Sequence, residues 1–258
     1  MQQIHLTVYI YLRVGYSYNI ERGIVILINN LTTVHFSFSK ENNFVYLLQD
    51  NVLFQVFESN EVLRQGEKEC LQEAFCYGDL SKDLFSFDFI SLRTKFFSYD
   101  DSYYIQNTMK PIKDTFSHDK DVLLYFSSTM YSIVNLVTVL AYAEKLGFDK
   151  DIFLALFNEE TEDIEIYKVS PKGYYDVFCD IIVDRDINAL KNFTCEKFIF
   201  DGLVLFLHFK MENNEIDNFV KYNIDKFEEE EFFDELFNKF ARYGLKKFQF
   251  DEIVDKYK

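Results

Sequence analysis

The chain has 258 residues, 48% of them hydrophobic, with 30 Phe and 18 Tyr, enough apolar mass for one large domain or two small ones. Only eight Gly and two Pro exclude a low-complexity or linker-rich protein. The formal net charge of −16 argues against electrostatic binding to nucleic acid, because phosphate contacts need Lys and Arg.

Residues 1–33 hold two β-branched and aromatic runs, Ile4 to Val14 and Gly23 to Ile28, separated by the turn-like GYSYNIER. This pattern predicts an N-terminal β-hairpin. VHFSF, Val34 to Phe38, reads as a short strand. Ser39, Asn42 or Asn43 then offers a helix cap, and the spacing of Val45, Leu48, Val52 and Val56 predicts a helix closed by Gly66. The run Glu69 to Tyr77 reads as extended up to Gly78-Asp79, and Leu84 to Phe97 as helix. Asp100 to His118, polar and interrupted by Pro111, reads as partly irregular.

Asp121 to Asn158 carries the clearest architectural signal. The apolar run Val122 to Phe126 ends in Ser127, Ser128 and Thr129; a long helical pattern follows, then Gly147, then a second apolar run, Ile152 to Phe157. Short continuous apolar runs suit strands covered on both faces, and joining them through a helix makes them parallel with a right-handed crossover. Ser128 or Thr129 can cap the helix. The fold class expected is therefore α/β, a parallel, Rossmann-like sheet core. An acidic loop, Asn158 to Ile166, comes next. Beyond it Gly173 to Val183 reads as helix and Phe198 to Phe209 as strand or helix. Two amphipathic helices follow, the second ending at Gly244. The division expected is a hairpin extension (1–33), an α/β domain (34–170) and a mainly helical region (171–258).

In a parallel α/β sheet, ligands bind beyond the carboxyl ends of the strands. The residues nominated on that ground are Ser39, Asn42, Asp79, Ser81, Ser127, Ser128 and Thr129, with Arg93 as an anion partner or a structural ion pair. Hydroxyls and backbone N–H groups at a helix N-terminus can hold a phosphate, although Ser and Thr are also the commonest caps and Gly-Asp is an ordinary turn pair. Asn135, mid-helix in an apolar setting, needs a partner for its amide. His35 and His208 read as packed imidazoles. Neither a P-loop nor a dinucleotide-binding glycine pattern is present, and no catalytic residue can be singled out. Cys70, Cys76, Cys179 and Cys195 form no C-x-x-C pair and lack His at ligand spacing, which reads as buried thiols in a reducing, cytoplasmic setting with no metal or cofactor. No run of about 20 apolar residues suggests a membrane span.

The acidic excess lies wholly beyond residue 49, since the first 49 residues hold Glu21 and Glu41 against Arg13, Arg22 and Lys40. Its densest clusters are Glu159, Glu160, Glu162, Asp163 and Glu165, then Glu228, Glu229, Glu230 and Glu231. They read either as solvated faces or as a surface that meets a protein partner with a basic face.

From Val34 onward the segments resemble the domain-of-unknown-function family 1835, found in Firmicutes and often followed by a small helical domain. VHFSF is similar to the family's opening strand, Gly78-Asp79-Leu80-Ser81 with Arg93 to its second polar loop, and LLYFSSTMYSIVNLVTVLAYAEKLGF to its most recognisable stretch. GYYDVFCDIIV and FARYGLKKFQFDEIV are similar to later segments. The resemblance implies a Gly-Asp-Ser-type first loop and an acid in the third. Here Ser39-Lys40-Glu41-Asn42 and Ser127-Ser128-Thr129 supply neither. The expectation is a non-catalytic acidic protein that binds another macromolecule, as an inhibitor, immunity or anti-defence factor does. The alternatives are an enzyme or binder of a phosphorylated small molecule or nucleotide at the strand ends, and a structural or assembly protein.

Overall fold

A computed structural model describes residues 30–35, 37–38, 44–158, 161, 163–226 and 228–258. At its centre is a five-stranded sheet in the order β2-β1-β3-β4-β5. The strands are β1 (Phe44–Leu48), β2 (Glu67–Cys70), β3 (Asp121–Ser127), β4 (Ile152–Phe157) and β5 (Ile164–Val169). The first four are mutually parallel, and β5 runs antiparallel on the edge beside β4. The protein is thus an α/β protein with a mostly parallel sheet, as the Asp121–Asn158 pattern predicts.

Alternate residues of β1, β3 and β4 feed two separate cores. Leu47, Val122, Leu124, Phe126 and Leu154 join the larger one, on the face covered by helix α5 (Met130–Leu146) and the C-terminal helices. Phe44, Tyr46, Leu48, Leu123, Tyr125 and Ala155 face the smaller one, closed by the helical residues 30–35 and 37–38 and by helix α1 (Asn51–Ser59). Burial on both faces is the reason these strands are apolar throughout rather than alternating. Helix α5 is buried continuously from Met130 to Ala143, so it has no solvent stripe over that length. Thr129 caps its start and Gly147, at φ 66°, its end.

Between β2 and β3 lie α2 (Phe87–Phe97), α3 (Asp101–Tyr104), a π-helical turn (Ile105–Met109) and α4 (Lys110–Thr115). After β5 come α6 (Tyr174–Val177), which runs into a second π segment (Phe178–Val183), and α7 (Lys197–Phe209). The chain ends with α8 (Glu215–Asn223), α9 (Glu229–Lys239) and α10 (Lys247–Asp255). Side chains from these last helices, among them Ile216, Leu236 and Phe250, belong to the same core cluster as the sheet.

Several local expectations are corrected. The hairpin expected over residues 1–33 falls outside the described residues as far as position 29, and residues 30–33 are helical. Val34 to Phe38 is not a strand: positions 34, 35, 37 and 38 are helical, Ser37 Oγ donates to Thr33 O at 2.9 Å, and Leu31 and His35, four apart, are both buried. The first strand among the described residues is Phe44–Leu48, where the spacing of Val45 and Leu48 predicts the start of a helix. Its run FVYLL satisfies helical spacing only because every residue is apolar. The helix begins after Asp50, which caps it, and ends at Asn60. Gly66 instead turns into β2 at φ 88°, where a Cβ would lie 2.6 Å from the Tyr46 ring. Of the extended run expected over Glu69 to Tyr77, only Glu69 and Cys70 are strand, at the end of β2. The 100–118 region, expected to be partly irregular, is mostly helical, and Pro111 comes just after the π-helical turn Ile105–Met109. The end of the acidic loop after β4, from Ile164, belongs to β5, which pairs antiparallel with β4. Phe198 to Phe209 resolves to helix.

Candidate functional site

In the order β2-β1-β3-β4, the chain leaves β1 towards β2 and later returns on the other side as β3. The carboxyl ends of β1 and β3 therefore flank the topological switch point, where open α/β sheets place their ligands. The groups there are Gln49 and Asp50 after β1, and Ser127, Ser128 and Thr129 after β3. Ser39 and Asn42, nominated for this place, lie outside the described residues and precede the first strand of the sheet rather than follow it.

The switch-point groups bind one another. Ser127 N donates to Gln49 Oε1 at 2.7 Å and to Ser132 Oγ at 2.8 Å, and the Ser132 hydroxyl donates in turn to Gln49 Oε1. Ser127 Oγ and Thr129 Oγ1 share a hydrogen bond of 3.0 Å. Ser128 N donates to Phe157 O at 3.0 Å. Asp50 accepts from Leu53 N at 2.9 Å through one oxygen and from Lys246 Nζ at 3.1 Å through the other. The C-terminal region completes the closure. Gly244, at φ 65°, lies so close to Thr129 that a Cβ would stand 2.5 Å from its Oγ1. Lys246 Nζ also sits 5.4 Å from the centre of the Tyr131 ring. A segment almost 120 residues downstream thus lies against the strand ends, and Ser127 and Thr129 are buried.

A second polar cluster pins the loop between β2 and α2. Arg93 is fully buried with Glu73. Its Nε and Nη2 bond Glu73 Oε2 and Oε1 at 3.4 and 2.7 Å, Nη2 also bonds Ala74 O at 3.1 Å, and Nη1 bonds Tyr77 O at 2.6 Å and Asp79 O at 3.2 Å. All five guanidinium donors are used. Burial opposes the Arg93 charge, but Glu73 more than offsets it and the pKa is raised. Tyr104 OH donates to Glu73 Oε2 at 2.5 Å, while Tyr131 OH and Asn135 Nδ2 donate to Glu73 O at 2.6 and 2.8 Å. Asn135 Oδ1 accepts from Phe75 N at 3.0 Å, so the amide that needed a partner spends itself on holding this loop to α5.

The remaining nominated residues are scattered. Asp79 is exposed, with Arg185 Nη2 3.6 Å away, and Ser81 closes a local turn by accepting from Asp83 N at 3.3 Å. Glu159, Glu160 and Glu162 lie outside the described residues, and of Glu229 only the backbone is described. Asp163 and Glu165 are exposed beside the β5 edge, Glu165 accepting a hydrogen bond from Tyr167 OH. Glu228, Glu230 and Glu231 are exposed at the start of α9, where negative charge suits the helix dipole. Burial pushes the Cys70 thiol up to about 12 and Cys76 up to about 11, so both are protonated at neutral pH. Among the described residues, no three His, Cys, Asp or Glu side chains converge to hold a metal ion, and no helix is long and apolar enough to cross a membrane.

Gln49, Asp50, Glu73 and Lys246 were missed in the sequence reading. Asp50 carried a usable signal, as a helix-capping residue after an apolar run. The others act through partners tens to nearly two hundred residues away. No family model, curated protein or solved structure matches the chain.

Proposed function

We propose that this protein is a non-catalytic acidic α/β protein of the cytoplasm that works by binding another protein with a basic surface. Inhibitors, immunity proteins and anti-defence factors work in this way. The observation that supports the reading is the closure of the switch point. The side-chain oxygens of Gln49, Asp50, Ser127, Thr129 and Ser132 are engaged with one another, with backbone N–H groups or with Lys246, and Gly244 lies against Thr129. A site built to receive a phosphorylated ligand would instead leave donors facing the cleft. The exposed acids at the start of α9 and beside β5 are the charge that a basic partner would meet.

The test is association of the purified protein with a captured basic partner. The complex is expected to weaken steeply as ionic strength rises from about 0.05 to about 0.5 M, because screening shortens the range of surface charges. Glu228→Lys, Glu230→Lys and Glu231→Lys in one chain are expected to slow association about tenfold or more, since rim charges act on the on-rate. A complex indifferent to both salt and charge reversal would reject the reading. Nucleotides or phosphosugars that raise the melting temperature in the wild type, but not in a Ser127→Ala variant, would favour a ligand at the strand ends instead.

A further inference from the structure

A cavity of about 520 Å³ is lined in part by Tyr77 and Gly78, in the turn whose carbonyls, Tyr77 O and Asp79 O, bond the buried Arg93. Its walls come from Tyr77 and Gly78, the C-terminal end of α7 with the turn after it, the start of α8, and the end of α10. Lys210, the residue that closes α7, is half-buried in it. Its ammonium sits 5.7 Å from the centre of the Tyr77 ring and 5.6 Å from those of Phe206 and Phe209. Ring faces orient a cation without neutralising it.

Of the cavity's other charges, Asp217 and Lys256 face each other, whereas Glu212 is exposed to solvent. Asp217 accepts from Asn214 Nδ2 at 2.8 Å and has Lys256 Nζ at 3.9 Å. Among the described residues, no carboxylate lies within ion-pair distance of Lys210 Nζ, and no oxygen accepts a hydrogen bond from it. An ammonium taken partly out of water with no counter-charge is unfavourable unless something supplies one. The space beside it is large enough for a small molecule, and its walls offer both ring faces and polar groups.

We infer that this cavity binds a small organic oxyanion, a carboxylate or phosphate carried on a flat apolar body, with Lys210 as the counter-charge and Tyr77 and Phe209 against the apolar part. The inference stands apart from the protein-binding function, since it uses neither the switch point nor the acidic faces. Burial lowers the Lys210 pKa to about 8; Cys76 and Asp79 oppose the shift, and the charges of Arg185 and Arg93 add to it. An anion that needs the protonated amine should therefore bind less well as the pH passes about 8.

The experiment is titration of the full chain with phenyl phosphate and with benzoate, followed by amide chemical shifts, with benzyl alcohol as the uncharged control. Saturable shifts confined to Gly78, Met211 to Asn214 and their neighbours are expected with at least one of the anions. Lys210→Met keeps the apolar stem and removes the charge, and is expected to weaken binding about tenfold or more, as loss of one charge-assisted contact does. Lys210→Arg should retain binding and lose its decline above about pH 8, because a guanidinium stays charged. A Lys210→Met chain whose amide spectrum is unchanged elsewhere, yet which binds as well as the wild type, would overturn the inference. So would equal binding of benzyl alcohol, or shifts with neither anion.

Discussion

Arg93 and Glu73 meet at zero solvent exposure for one partner and nearly so for the other, and every donor of the guanidinium is spent. From the sequence, Arg93 could be an anion partner or half of an ion pair; its place in the fold makes it the latter. Glu73 was not legible, because nothing local distinguishes a buried Glu in ECLQEAFCY from an exposed one. Removing the cation alone leaves a buried carboxylate unmatched, so Arg93→Met is expected to destabilise the protein by about 3–5 kcal/mol in chemical denaturation. Replacing both partners with apolar residues should recover part of that loss. His35 gives a pH-dependent counterpart. It is buried among Tyr46 and Phe57, neither ring nitrogen has a hydrogen-bond partner among the described residues, and burial followed by the charge of Lys68 lowers its pKa below the ordinary 6.5. The unfolded chain then binds a proton more readily than the folded one. Stability should fall as the pH drops through 6.5 towards the lower folded-state value, and be complete above it. Urea midpoints measured between about pH 5 and 8 should show this slope in the wild type, and a smaller slope in His35→Phe.

At the scale of elements, α5 was read correctly because it carries its own start, its own stop and an apolar face that repeats. The same rules misplaced β1, since a run that is apolar at every position fits either period and only the neighbouring strands decide. The packing of α7 on α5 depends on one residue. A Cβ at Gly202 would stand 2.7 Å from the side chain of Ile133, so the glycine admits the close approach of the two helices. Gly202→Ala gains about 1 kcal/mol of helix propensity but overfills the contact by more, and is expected to lower stability by about 1–2 kcal/mol net, read from the denaturation midpoint. Ile133→Val in the same chain should restore part of the loss if the clash is the cause.

Across the whole molecule, the sheet order decides what the polar loops can do. β1 and β3 are neighbours, so Gln49 reaches Ser127 and Ser132. The C-terminal region packs against the sheet core and brings Gly244 and Lys246 onto the strand ends. The charge of −16 has no comparable structural role among the described residues. Glu228, Glu230 and Glu231 stay in solvent, which is why the charge-reversal and salt experiments should change association while leaving the fold intact.

By itself, the sequence determined that the protein is α/β with a parallel core. The Asp121–Asn158 unit is local: two buried strands, a capped helix and a terminating glycine all fall within 38 residues, and right-handed crossover geometry does the rest. The tertiary structure alone decided whether the loop at Ser127 to Thr129 lies open. That depends on side chains from Gln49 and Lys246, whose contacts span 78 and 196 residues of chain. Hydrogen-bond satisfaction is a property of groups adjacent in space, and adjacency at that separation is set by packing rather than by any pattern along the chain.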